Sequence, residues 1–60
     1  MNYDVAISYY NQVLHKINKD SLSYANILYK RGACYERLGK FDKSDKDLLM
    51  SLEVNPNDPY

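Results

Sequence analysis

The side chains able to do chemistry in this 60-residue chain are few and far apart. It holds one Cys, Cys34, and one His, His15. A thiolate nucleophile needs a base or a cation beside it. No His and no second Cys stands at helical spacing from Cys34, so the thiol reads as a small buried hydrophobe. His15 lacks companions for a metal site, which needs several ligands close together, and reads as a solvated residue near a helix end. The acidic segment "FDKSDKD" gathers Asp42, Asp45 and Asp47. It lacks the Gly and the closing Glu of a calcium loop. Lys43 and Lys46 alternate with the acids, and Asp42–Lys46 and Lys43–Asp47 are spaced i, i+4, the pairing distance on a solvated helix face. A Ser/His/Asp set, a Gly-rich phosphate loop and a metal-ligand cluster are all missing. The expectation is no catalysis, no cofactor and no metal.

Eight Lys plus Arg balance eight Asp plus Glu, for a net charge near zero. A nucleic-acid or anionic-membrane surface needs a basic excess, so neither partner is expected. No apolar run approaches the ~20 residues of a membrane span, and the N-terminus has no basic start and apolar core of a signal peptide. A single Cys cannot form an internal disulfide; that permits an intracellular setting and favours a cytoplasmic one. Sixty residues make one small domain or a piece of one. A chain of this size buries only roughly 60% of its unfolded surface.

The elements that must position these side chains are helices. Prolines occur only at Pro56 and Pro59, which leaves residues 2–55 free to be helical. Asp20 or Ser21 suits an N-cap, Gly39 suits a C-cap, and Asn55-Pro56-Asn57-Asp58-Pro59 stops the last helix. Three antiparallel helices follow, at about 2–17, 22–38 and 41–54, joined by short loops. Tyr3, Ala6, Ile7, Tyr10, Val13, Leu14 and Ile17 keep the i, i+3, i+4, i+7 rule in the first, and Phe41, Ser44, Leu48, Ser51 and Leu52 keep it in the third. The middle helix is apolar over roughly half its circumference, wider than the ~100° stripe of an ordinary surface helix. It must touch neighbours on two sides. Arg31 falls inside that arc, so its stem packs while its head reaches water or an acid. Most of the seven tyrosines fall on packing stripes and read as core. Gly32 stands in mid-helix, where Gly is unfavourable by about 1 kcal/mol against Ala, so another backbone must pass close to it.

The third helix repeats the first. "NYDVAISYYNQVL" and "KFDKSDKDLLMSL" align without gaps, at an offset of 38 residues from Tyr3 to Phe41. Self-similarity at such a period marks stacked-repeat proteins. Residues 25–58 resemble a tetratricopeptide repeat (TPR), a 34-residue helical hairpin with the pattern W-x2-L-G-x2-Y, then A-x3-F, then A and P. Leu28 stands in the Trp slot, Gly32 in the Gly slot and Tyr35 in the Tyr slot. Gly39 and Phe41 match the turn. Ser44 takes the first small slot, Leu48 the aromatic one, Ser51 the second small one and Pro56 the Pro. Arg31 departs from the usual Leu. Residues 1–20 resemble the second helix of a preceding repeat, and residues 21–60 one complete hairpin with its Pro stop.

The resemblance implies an all-α solenoid fragment of about one and a half repeats. Gly32 would face Ser44 at a close helix crossing, with Tyr35 and Leu48 filling the space beyond and Pro56 closing the hairpin. In this family the first helix of each repeat lines a concave groove that binds peptides or partner proteins. Asn26, Tyr29, Lys30, Ala33 and Arg37 share one stripe of the middle helix and are thereby the partner-binding candidates. The subtype that clamps a C-terminal carboxylate uses Lys and Asn at slots that hold Tyr29 and Ala33 here, so its ligand is not implied. The expected function is a protein–protein interaction scaffold or adaptor. An alternative is self-association: Met50 and Val54 lie off the main stripe of the third helix, where a following helix would dock, and form an apolar edge for a homo-oligomer or a helix swap. A helix-turn-helix DNA-binding domain would fit the length, but the missing basic face and the 38-residue echo count against it.

Overall fold

A computed structural model describes residues 2–56 as three α-helices. They are α1 (Tyr3–Leu14), α2 (Leu22–Arg37) and α3 (Phe41–Val54). Pro59 of the expected stop lies outside the described residues. Local chemistry sets each boundary. Asn2 caps α1 by accepting from the Val5 N–H at 3.2 Å, and Ser21 caps α2 by accepting from the Tyr24 N–H at 3.1 Å. The end of α2 is a Schellman turn: the Lys40 N–H reaches the Tyr35 carbonyl at 2.8 Å and the Gly39 N–H reaches that of Glu36 at 3.0 Å. That turn needs the left-handed φ of +78° at Gly39, a conformation that is free only for Gly.

The first helix stops at Leu14, short of the expected residue 17. The ladder tightens at Lys16, whose N–H reaches the Val13 carbonyl at 2.9 Å, and Asn18 then holds the connection. Its side chain accepts from the Asp20 N–H at 2.8 Å, and its carbonyl accepts from the Ser21 hydroxyl at 2.7 Å. Such local bonds compete with a helical ladder. Toward the other end of the chain, Pro56 is exposed. Its role is local: the residue before a Pro leaves the helical region, and Asn55 lies at φ −135°, ψ 84°.

The middle helix packs on both sides, as its wide apolar arc requires. Both α1 and α3 lie against α2 and neither approaches the other. The apolar core is small: Ile7, Leu14, Ala25, Leu28 and Cys34. On α3 the buried positions are Ser44, Asp47 and Ser51, all polar. Ser51 is satisfied by donating to the Ala25 carbonyl at 2.9 Å, a bond between helices that only two close axes can make. Gly32 is buried, and a Cβ added there would stand 3.2 Å from the Asp47 Cβ and 3.3 Å from the Leu48 side chain. The close passage expected at Gly32 is therefore present, but its nearest neighbours are Asp47 and Leu48 rather than Ser44.

Two further expectations are corrected. Phe41, on the expected apolar stripe of the third helix, is 61% exposed. The six described tyrosines are not core: Tyr9 is exposed, and Tyr3, Tyr10, Tyr24, Tyr29 and Tyr35 are half-buried, while Tyr60 lies outside the described residues. A phenol hydroxyl needs a polar partner or water, and a core this thin offers the ring a wall but not an interior.

Candidate functional site

Four of the five partner-binding candidates meet in one place. Tyr29, Lys30, Ala33 and Arg37 line a surface depression of about 400 Å³ between α2 and α1. Asn26 is exposed and is not part of it. Three residues that sequence reasoning did not assign to a binding surface complete the lining: Tyr3 and Tyr10 from α1, and Cys34 at its buried side. The spacing of Tyr3 and Tyr10, i and i+7, puts both rings on one face of α1. That periodicity was visible in the sequence, but it reads equally as core.

The depression has a definite chemistry. Three phenol rings offer flat apolar faces, and Lys30 and Arg37 supply positive charge. Among the described residues, no carboxylate lines it. Burial pushes the Cys34 thiol up from its ordinary value, so the sulfur is an uncharged wall rather than a nucleophile. Rings of this kind stack on apolar side chains, and the two cations pair with acidic ones.

A second cluster joins the helices. Arg31 Nε–H and Nη2–H donate to the two carboxylate oxygens of Asp47, each at 2.7 Å. Its Nη1–H donates to Asn11 Oδ1 at 2.8 Å. One guanidinium on α2 thus bridges α1 and α3, which do not touch each other. Arg31 meets an acid, as expected of a cation in an apolar arc. The solvated face expected for Asp42, Asp45 and Asp47 fails at Asp47, which is 3% exposed. Its partner is Arg31 rather than Lys43, whose Nζ lies 5.6 Å above the Tyr35 ring. The Asp47 hydrogen bond holds the Arg31 pKa above its ordinary value; burial pulls the other way, and the carboxylate charge adds to the rise. The helical arithmetic for finding Asp47 was present: Ser44, Asp47, Leu48 and Ser51 are spaced i, i+3, i+4, i+7.

The arrangement of α2 and α3 as a hairpin, with a Gly at the crossing, small residues at 44 and 51 and a Pro after the last helix, matches a family model. The tetratricopeptide repeat model matches residues 25–58. The chain belongs to the tetratricopeptide repeat family. In a TPR the matched hairpin is one repeat, formed here by α2 and α3. TPR proteins are generally non-catalytic scaffolds, and their repeats mediate protein–protein interaction. No curated protein and no solved structure gives a match. Among the described residues, no helix is long and apolar enough to cross a membrane.

Proposed function

We propose that this chain is a protein–protein interaction module that seats a peptide segment of its partner in the tyrosine-lined depression between α1 and α2. One observation carries the reading. The α2 stripe singled out by family resemblance and the surface depression found in the fold share Tyr29, Lys30, Ala33 and Arg37. Binding is non-covalent. Tyr3, Tyr10 and Tyr29 take an apolar or Pro side chain, and Lys30 and Arg37 anchor the backbone or an acidic group.

The test is a peptide-display selection against the intact chain. Ala33 is exposed, so Ala33→Trp fills the depression without entering the core. Selected peptides are expected to bind the parent chain and to lose at least tenfold in affinity with Ala33→Trp. Peptides that bind both equally would overturn the reading.

A second reading is self-association through the outer edge of α3. Met50 and Val54 are half-buried there, on the opposite side of the buried stripe of α3 from the exposed Phe41 and Leu49. Light scattering over a wide concentration range separates the two. A dimer that Met50→Lys returns to monomer would favour the edge; a monomer throughout leaves the depression as the working surface.

A further inference from the structure

We propose that a second, donor-rich cavity beside Arg31 binds a phosphoryl group, either a free phosphate ion or a phosphorylated side chain. It lies on a different face of α2 from the tyrosine-lined depression. Tyr24, Arg31 and Tyr35 stand roughly 150° around the helix from Lys30, Ala33 and Arg37 at ~100° per residue. The cavity holds about 450 Å³, between the end of α1, the α1–α2 connection and α2. Its polar lining is Asn11, His15, Lys19, Tyr24, Arg31 and Tyr35, with Leu14 as the apolar wall.

Every one of those six polar side chains can donate a hydrogen bond, and none is a carboxylate. The amide acceptor among them, Asn11 Oδ1, already takes the Arg31 Nη1–H, which leaves its N–H2 as a donor; the imidazole and the phenols accept as well as donate. A guanidinium carries five N–H donors. Asp47 and Asn11 account for three, which leaves two. A ligand that satisfies this lining must be rich in acceptors and negative.

The charge distribution agrees. An adjoining depression of about 290 Å³ shares Arg31 and Tyr35 and adds Lys43 and Lys46. Four of the chain's eight Lys and Arg residues therefore line these two hollows, although the net charge is zero. Of the seven described acids only Asp47 reaches them, and Arg31 already holds both of its oxygens. A carboxylate is planar, with two oxygens. A phosphoryl group presents oxygens in three dimensions with up to two charges, which suits donors that converge from three segments.

The probe is inorganic phosphate, titrated at constant ionic strength while the nitrogen–proton spectrum of the whole chain is recorded. Saturable shifts are expected at the Asn11 side-chain amide, the Arg31 Nε–H and residues 15–24. Acetate at matched ionic strength is expected to give no saturation. His15 and Lys19 are both exposed, so the His15→Gln/Lys19→Gln double variant keeps the fold. It is expected to weaken phosphate at least tenfold with an unchanged melting curve, whereas Lys30→Gln in the other depression leaves it alone. A phosphoserine peptide tighter than inorganic phosphate assigns the site to a phosphorylated side chain; equal affinity assigns it to the ion. Shifts that never saturate, acetate as tight as phosphate, or binding indifferent to the double variant would each overturn the proposal.

Discussion

At the scale of single residues, Arg31 is where the three helices are tied together. Its bidentate pair with Asp47 is largely removed from water, with side-chain exposures of 21% and 4%. Losing one member of such a pair leaves the other buried and uncompensated, at about 3 to 5 kcal/mol. A core this small supplies only about 3 to 5 kcal/mol in all. Asp47→Ala is therefore expected to leave the chain largely unfolded at room temperature. Arg31→Met combined with Asp47→Leu removes both charges and is expected to restore cooperative melting. Circular dichroism on the two variants checks this, and a folded Asp47→Ala chain would show the bridge to be dispensable. Cys34 gives a second test. A buried thiol with a raised pKa contributes stability that is complete below its ordinary value of 9.0 and is lost as pH climbs through the raised value. Alkylation at mild alkaline pH is expected to be much slower in the folded chain than in urea, and urea midpoints should fall as pH rises above about 9. The acid that Arg31 meets was hidden in the sequence for a physical reason. Lys43 offers Asp47 a partner within one helix, and only the tertiary fold puts Arg31 nearer.

The elements were largely legible, because their signals are local. Ser21, Gly39 and the Pro56 stop marked boundaries that the chain observes. The exception is α1, where a tightened turn at Lys16 and the local bonds of Asn18 are signals that periodicity does not register. The close crossing at Gly32 was also legible, but the residues facing it were not, since the family pattern fixes a small residue at 44 without fixing the rotation of α3. That rotation sets the outcome of mutation. Gly32→Ala gains about 1 kcal/mol of helix propensity. It must also push Asp47 and Leu48 back from 3.2 and 3.3 Å, an overpacking strain of about 1 to 3 kcal/mol. A net loss of about 1 kcal/mol is expected for Ala, and unfolding for Leu. A Gly32→Leu chain with an unchanged melting temperature would refute the close packing of α2 on α3. At Gly39 nothing crowds the added Cβ, so Gly39→Ala tests conformation alone. Its denaturant midpoint should shift by about 1 kcal/mol, the strain of a left-handed non-Gly residue.

At the scale of the molecule, the chain is compact but thinly filled. Its radius of gyration is 10.7 Å, close to the roughly 10.4 Å of a globular chain of this length. Five buried apolar residues make the core, and polar side chains fill the contact between α2 and α3. Tyr3, Tyr10, Tyr24, Tyr29 and Tyr35 end up lining surface hollows because helices packed on only two sides of α2 leave their outer faces open. That is why the candidate site was only half legible: the α2 stripe could be read from the sequence, while Tyr3 and Tyr10 join it through the way α1 crosses α2. The central claim is that the hollow between α1 and α2 is the partner-binding surface. The direct measurement is a nitrogen–proton correlation spectrum of the whole chain titrated with a display-selected peptide. Shifts are expected to cluster at Tyr3, Tyr10, Tyr29, Lys30, Ala33 and Arg37. Shifts confined to Met50 and Val54 would contradict the account and move the binding surface to the outer edge of α3.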